Sequence, residues 1–146
     1  MADINVGEIT EGLNHKVDLP LGKAQDGIDY VISWQVPTAE NGRKWFRLYK
    51  SGWVEQGGLI SGSGVQTINL SIEMATTDYS VLTSVYKPNY TSSASAITIL
   101  VTTLTTSQLK VNKSYGTGGY AGEAGLYEVK GQADISKLPI FNAQEA

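Results

Sequence analysis

From Asp29 onward the apolar residues of this chain fall in short runs that end at turn-forming residues, and none repeats at helical spacing. Residues 30–36 are rich in β-branched and aromatic side chains and stop at Pro37. Asn41-Gly42 supplies a turn, and two strands, 45–50 and 53–56, flank Ser51-Gly52, a dipeptide suited to a tight turn with positive φ. Gly57-Gly58 is expected to stop the second of these strands. Alternation over 65–72 turns Ile68, Leu70 and Ile72 toward one face, the core face. Further strands are expected at 79–86, 96–101, 109–113 and 126–131. About seven or eight short strands with no helix among them make the chain all-β, an antiparallel sandwich or barrel-like sheet.

The flanks read differently. Ile9, Leu13 and Val17 stand at i, i+4 and i+8, which predicts a short amphipathic helix over about 7–18, ended by Pro20 and Gly22. Isolated helices under ~12–15 residues are marginal, so this one needs partners: it is either a frayed arm or one strand of a helical stem. The organisation expected is an N-terminal arm (1–28), a β-head (29–131) and a C-terminal tail (132–146) carrying Leu138, Ile140 and Phe141. A chain of 146 residues buries roughly two-thirds of its unfolded surface, so a core forms without disulfides, and the sequence has no cysteine. No run approaches the roughly 20 apolar residues of a membrane span, and the acidic start lacks the features of a signal peptide. Neither membrane insertion nor export by that route is expected, and synthesis stays cytoplasmic.

Candidate chemistry is sparse. A net charge of −3 argues against nucleic-acid binding through a basic stripe. His15 is the only histidine and lies in the acidic arm, which leaves neither a Ser-His-Asp unit nor a zinc site in prospect. Glu55, Glu73, Asp78, Glu123 and Glu128 show no spacing that selects a catalytic pair. Glu55 is expected to bond backbone groups near Gly57 and Gly58. The glycines at 57, 58, 62 and 64 lack the lysine and helix of a phosphate loop. The expectation is a non-enzymatic protein with no cofactor and no metal.

Binding is better supplied. Eight tyrosines and three tryptophans offer flat apolar faces with polar edges, suited to sugar rings and protein interfaces. Two clusters fall in expected loops: Tyr86, Asn89 and Tyr90, and Tyr115 with Tyr120 in the glycine-rich stretch 114–125. Binding residues are disproportionately placed on loops held by a rigid scaffold, so these five are candidates for receptor contact, with plain packing as the alternative. Trp34, Trp45 and Trp53 are expected in core or inter-subunit packing.

The pattern Trp45-Phe46-Arg47-x-Tyr49-x-Ser51-Gly52-Trp53-x-Glu55-Gln56-Gly57-Gly58 resembles a signature in the C-terminal domains of bacteriophage and prophage tail-fibre-like proteins. Weaker likeness comes from Thr77-Asp78-Tyr79-Ser80-Val81 and from Leu126-Tyr127-Glu128-Val129-Lys130-Gly131, and it covers about residues 29–131. The resemblance implies a homotrimer of small β-heads at the end of a virion fibre, recognising polysaccharide or protein on a bacterial surface. It gives Trp45, Tyr49, Gly52, Trp53, Glu55, Gln56, Gly57 and Gly58 a structural role, and makes Ile9, Leu13 and Val17 a trimer stem or an anchor to other virion proteins. Two departures matter: only 28 residues precede the head, and fifteen follow Gly131 where such domains usually end. A head fibre or capsid decoration protein held by its arm is therefore an alternative, as is a fragment of a longer fibre. A free carbohydrate-binding module is a third.

Overall fold

The computed structural model describes residues 28–86, 97–115 and 124–142, and the expected arm helix with Ile9, Leu13 and Val17 lies outside them. Eight strands follow in order: β1 (Val31–Gln35), β2 (Trp45–Tyr49), β3 (Trp53–Ile60), β4 (Gly64–Asn69), β5 (Ser80–Tyr86), β6 (Ile97–Leu104), β7 (Gln108–Tyr115) and β8 (Ala124–Gln132). They form two sheets, β1-β2-β3-β8-β5 and β4-β7-β6, with every pairing antiparallel. The expected all-β sandwich class holds.

One core lies between the sheets. Leu48, Val54, Tyr127 and Val129 from the larger sheet meet Ile68, Leu109 and Val111 from the smaller, each under a tenth exposed. Period-2 alternation decides which residues arrive there. Ile68 and Ile72 are buried and Leu70 half-buried, as the pattern over 65–72 predicts, although β4 itself ends at Asn69. Lys113 follows the same parity from Leu109 and Val111 and is fully buried, its Nζ donating to the Ile60 carbonyl at 3.3 Å across the gap between sheets.

Local turn chemistry fixes the register. Gly42 (φ 68°) and Arg43 (φ 56°) both sit in the left-handed region, where Lys44 N–H donates to the Asn41 carbonyl at 3.3 Å. Asn41 holds the turn from outside, its Nδ2 donating to the Val36 carbonyl at 3.0 Å and its Oδ1 accepting from Thr38 N–H at 2.9 Å. Gly52, at φ +89°, makes the β2–β3 turn expected at Ser51-Gly52.

Two findings depart from expectation. β3 does not stop at Gly57-Gly58 but runs on through Leu59 to Ile60, paired residue by residue with β8. The segment after Gly131 is not a free tail over its described part. Ala133 pairs with Met74, Ile135–Lys137 forms a 3₁₀ turn, Pro139–Asn142 a single helical turn, and Phe141 is 3% exposed in the core.

That segment is also held by charge. Lys137 Nζ donates to Glu73 Oε1 at 2.6 Å and Thr106 Oγ1 to the same oxygen at 3.1 Å, which holds the Glu73 carboxyl below its ordinary 4.5. A carboxylate whose pKa falls on folding stabilises above its unfolded value, and that contribution disappears as pH drops through the lowered folded value. Acidification below about 4.5 is therefore expected to lower the thermal midpoint, and Glu73→Gln is expected to flatten that part of the profile. Identical acid profiles for the two proteins would show that the pair contributes nothing to folding.

Candidate functional site: a tryptophan-bearing sheet face

The outer face of the five-stranded sheet is the most unusual surface among the described residues. Strand parity sends Phe46 and Leu48 inward and turns Trp45, Arg47 and Tyr49 outward on β2. On β3 the outward residues are Trp53, Glu55, Gly57 and Leu59. Register then assembles two rows across the sheet. Trp34, Arg47, Glu55 and Lys130 stand opposite one another in the first, and Trp45, Gly57, Glu128 and Leu82 in the second. All three tryptophans thus share one face. Trp34 is 67% exposed, Trp53 41% and Leu82 64%, so within this chain the indoles do not enter the core as expected.

The paired glycines make this arrangement possible, one for each side of the strand. A Cβ at Gly57 would meet the Trp45 ring at 2.6–2.8 Å and the Tyr127 carbonyl at 2.5 Å, so the indole lies flat against the bare backbone. A Cβ at Gly58 would meet the Tyr127 ring at 2.9–3.2 Å on the opposite, buried side. Burial pushes the Tyr127 phenol up to about 12, and it stays neutral. Glycine serves here for close approach of two rings rather than as a strand breaker.

Gln56, just before the paired glycines and in parity with the core, is 1% exposed. Its Nε2 donates to the Ile72 carbonyl at 2.8 Å and its Oε1 accepts from Ile72 N–H at 3.0 Å, which pins the β4–β5 connection to β3. Glu55 does not bond the backbone beside Gly57 and Gly58 as expected. It accepts from the Tyr49 hydroxyl at 2.9 Å and lies 3.8 Å from Lys130 Nζ. Ionising Tyr49 would break that hydrogen bond and set two anions side by side, so its pKa is raised. Glu128 pairs with Lys130 at 3.0 Å, which raises the lysine's pKa in turn.

Two shallow grooves of about 580 and 570 Å³ meet at Pro37, Trp45 and Glu128. One extends toward Arg43, Leu82 and Leu126, the other toward Trp34, Arg47 and Glu55. Both volumes fall in the ~300–1,000 Å³ range of small-ligand sites. No cluster of three or more His, Asp or Glu able to hold a metal occurs among the described residues.

The loop candidates fall elsewhere. Tyr86 ends β5 opposite Ala124, and half-buried Tyr115 ends β7 opposite Ile97. Asn89, Tyr90 and Tyr120 lie outside the described residues. The tryptophan face escaped the sequence reading, although its signal was there. Arg47, Glu55, Glu128 and Lys130 share parity with the indoles, and charged neighbours on an alternating strand mark the solvent side.

No family model matches the chain, and no curated protein matches it. Solved structures similar to it are pyocin tail fibres. A C-terminal portion of the P. aeruginosa R2 pyocin fibre matches 70% of this chain at TM-score 0.48 and 11% identity, over 26% of its own length. An N-truncated R2-type pyocin tail fibre gives the same TM-score and identity over 39% of its length, so this chain spans only about a quarter to two-fifths of those fibres. An N-truncated R1-type pyocin tail fibre matches 90% of this chain and 99% of its own, at TM-score 0.47 and 9% identity.

Proposed function

We propose that this chain is a virion fibre protein whose β-head recognises a bacterial surface, working as a homotrimer and joined to other virion proteins through its N-terminal arm. The observation that carries the reading is the outer sheet face, which bears all three tryptophans, with Trp34 and Trp45 lining two open grooves. Exposed aromatics clustered on a rigid sheet suit adhesion, because their rings lose little side-chain entropy on binding and present both apolar faces and polar edges. The 45–58 signature supports the fibre assignment independently. Tyr86 and Tyr115, at the ends of β5 and β7, and Asn89, Tyr90 and Tyr120, outside the described residues, remain candidates for receptor contact. The ligand on this reading is a surface polysaccharide or protein.

Light scattering on the purified full chain is expected to give three times the mass of one chain. Fluorescently labelled full chain is expected to bind cells of some strains in a bacterial panel saturably and to leave others bare. A monomer that binds no strain would sink both halves of the reading, and a trimer that binds none would leave only a structural role.

A further inference from the structure

The Trp34 groove carries one cationic side chain, Arg47, beside two carboxylates. Its two carboxylates are engaged already, Glu55 by the Tyr49 hydroxyl and Glu128 by Lys130. Arg47 stands between Trp34 and Glu55 in the row, exposed, and no described carboxylate lies within salt-bridge reach of its guanidinium. The indole N–H groups of Trp34 and Trp45 donate to no described acceptor. The groove thus offers a guanidinium without a described carboxylate partner and two indole N–H donors, between two aromatic rings.

From this geometry we propose that the groove binds a carboxylated saccharide, a uronic-acid unit of an acidic polysaccharide, with Arg47 gripping the carboxylate and Trp34 and Trp45 stacking on the sugar ring. This deepens the recognition reading and rests on it. The planar guanidinium fork matches a carboxylate through two parallel N–H···O bonds. Glu55 and Glu128 line the same groove and repel a second negative charge, which disfavours a phosphate dianion; a phosphodiester carries one charge as a carboxylate does, and the comparison with teichoic acid separates those two. The pyranose ring supplies a C–H face for the indoles, and its hydroxyls accept from the indole N–H groups.

The test uses the full chain on immobilised polygalacturonate, on dextran as the neutral polymer, and on a phosphate-bearing teichoic acid. The expected result is retention by polygalacturonate above the other two, weakening as salt rises. Arg47→Gln and Trp34→Ala are each expected to lower that affinity about tenfold, the loss of one charge-assisted pair or one stacked ring. Both side chains are solvent-exposed, so unchanged thermal midpoints and an unchanged light-scattering mass are expected alongside. Equal binding to dextran, stronger binding to teichoic acid, or full affinity in Arg47→Gln would overturn the carboxylate assignment. A fall in oligomer mass for Trp34→Ala would make the face a contact between copies and overturn the groove as a ligand site. Cell binding by the wild-type chain without polygalacturonate binding would sink this inference while leaving recognition standing, and binding to neither would sink both.

Discussion

Replacing Gln56 with alanine is expected to cost about 3 kcal/mol or more of folding stability, because the variant strands both backbone groups of Ile72 in the interior. The amide side chain behaves as a piece of an adjacent strand, one donor and one acceptor closing on a single residue of the β4–β5 connection. Each buried backbone group left without a partner costs about 1–3 kcal/mol, and truncation adds a cavity beside Met74 and Val129. In urea the midpoint is expected to fall by about 1–2 M at the m-values usual for a small domain. Gln56→Met separates the two contributions, since it restores volume and leaves both Ile72 groups unpaired. If Met recovered full stability, the cavity rather than the hydrogen bonds would carry the effect. If Ala itself were within about 0.5 kcal/mol of wild type, the clamp would have no energetic role.

The same connection shows what a one-dimensional reading can and cannot reach. Strands were legible wherever alternation and turn residues agreed, as at 30–36, at Ser51-Gly52 and at Ile68, because those signals are local. Gly57-Gly58 was misread as a stop because glycine breaks strands by propensity, while the requirement it meets here comes from Trp45 on one side and Tyr127, seventy residues on, at the other. Glu55 was misassigned for a similar reason. Its partners are Tyr49 across the hairpin and Lys130 on a strand far along the chain, and the second appears only once β8 is known to lie beside β3. The indoles are a different case. Core and inter-subunit packing are both expected of them, and parity with Arg47 and Glu55 removes only the first. Their charged neighbours were the better guide.

The segment beyond Gly131 is where a long-range contact most changes the outline of the domain, and Phe141→Ala is expected to remove about 3–5 kcal/mol from the whole head. Phe141 is 3% exposed and belongs to the same cluster as Met74, Tyr79 and Ala133. The route to it is latched at several points: Ala133 N–H donates to the Gly52 carbonyl at 2.8 Å, Asp134 N–H to the Glu73 carbonyl at 2.9 Å, and Lys137 to the Glu73 side chain. The first latch closes on the turn of the 45–58 signature itself, so the C-terminal segment braces the hairpin that carries Trp45 and Trp53. Ile140→Ala is the matched control, because Ile140 is 40% exposed and one residue away, and its loss is expected to stay within about 0.5 kcal/mol. Urea denaturation followed by tryptophan fluorescence reads both, since two indoles sit on strands next to the latch. A large effect at 141 and none at 140 would mean that the segment folds as part of the head. Equal, small effects would mean that it detaches before the sheets come apart, and the core would then have to be stable without it.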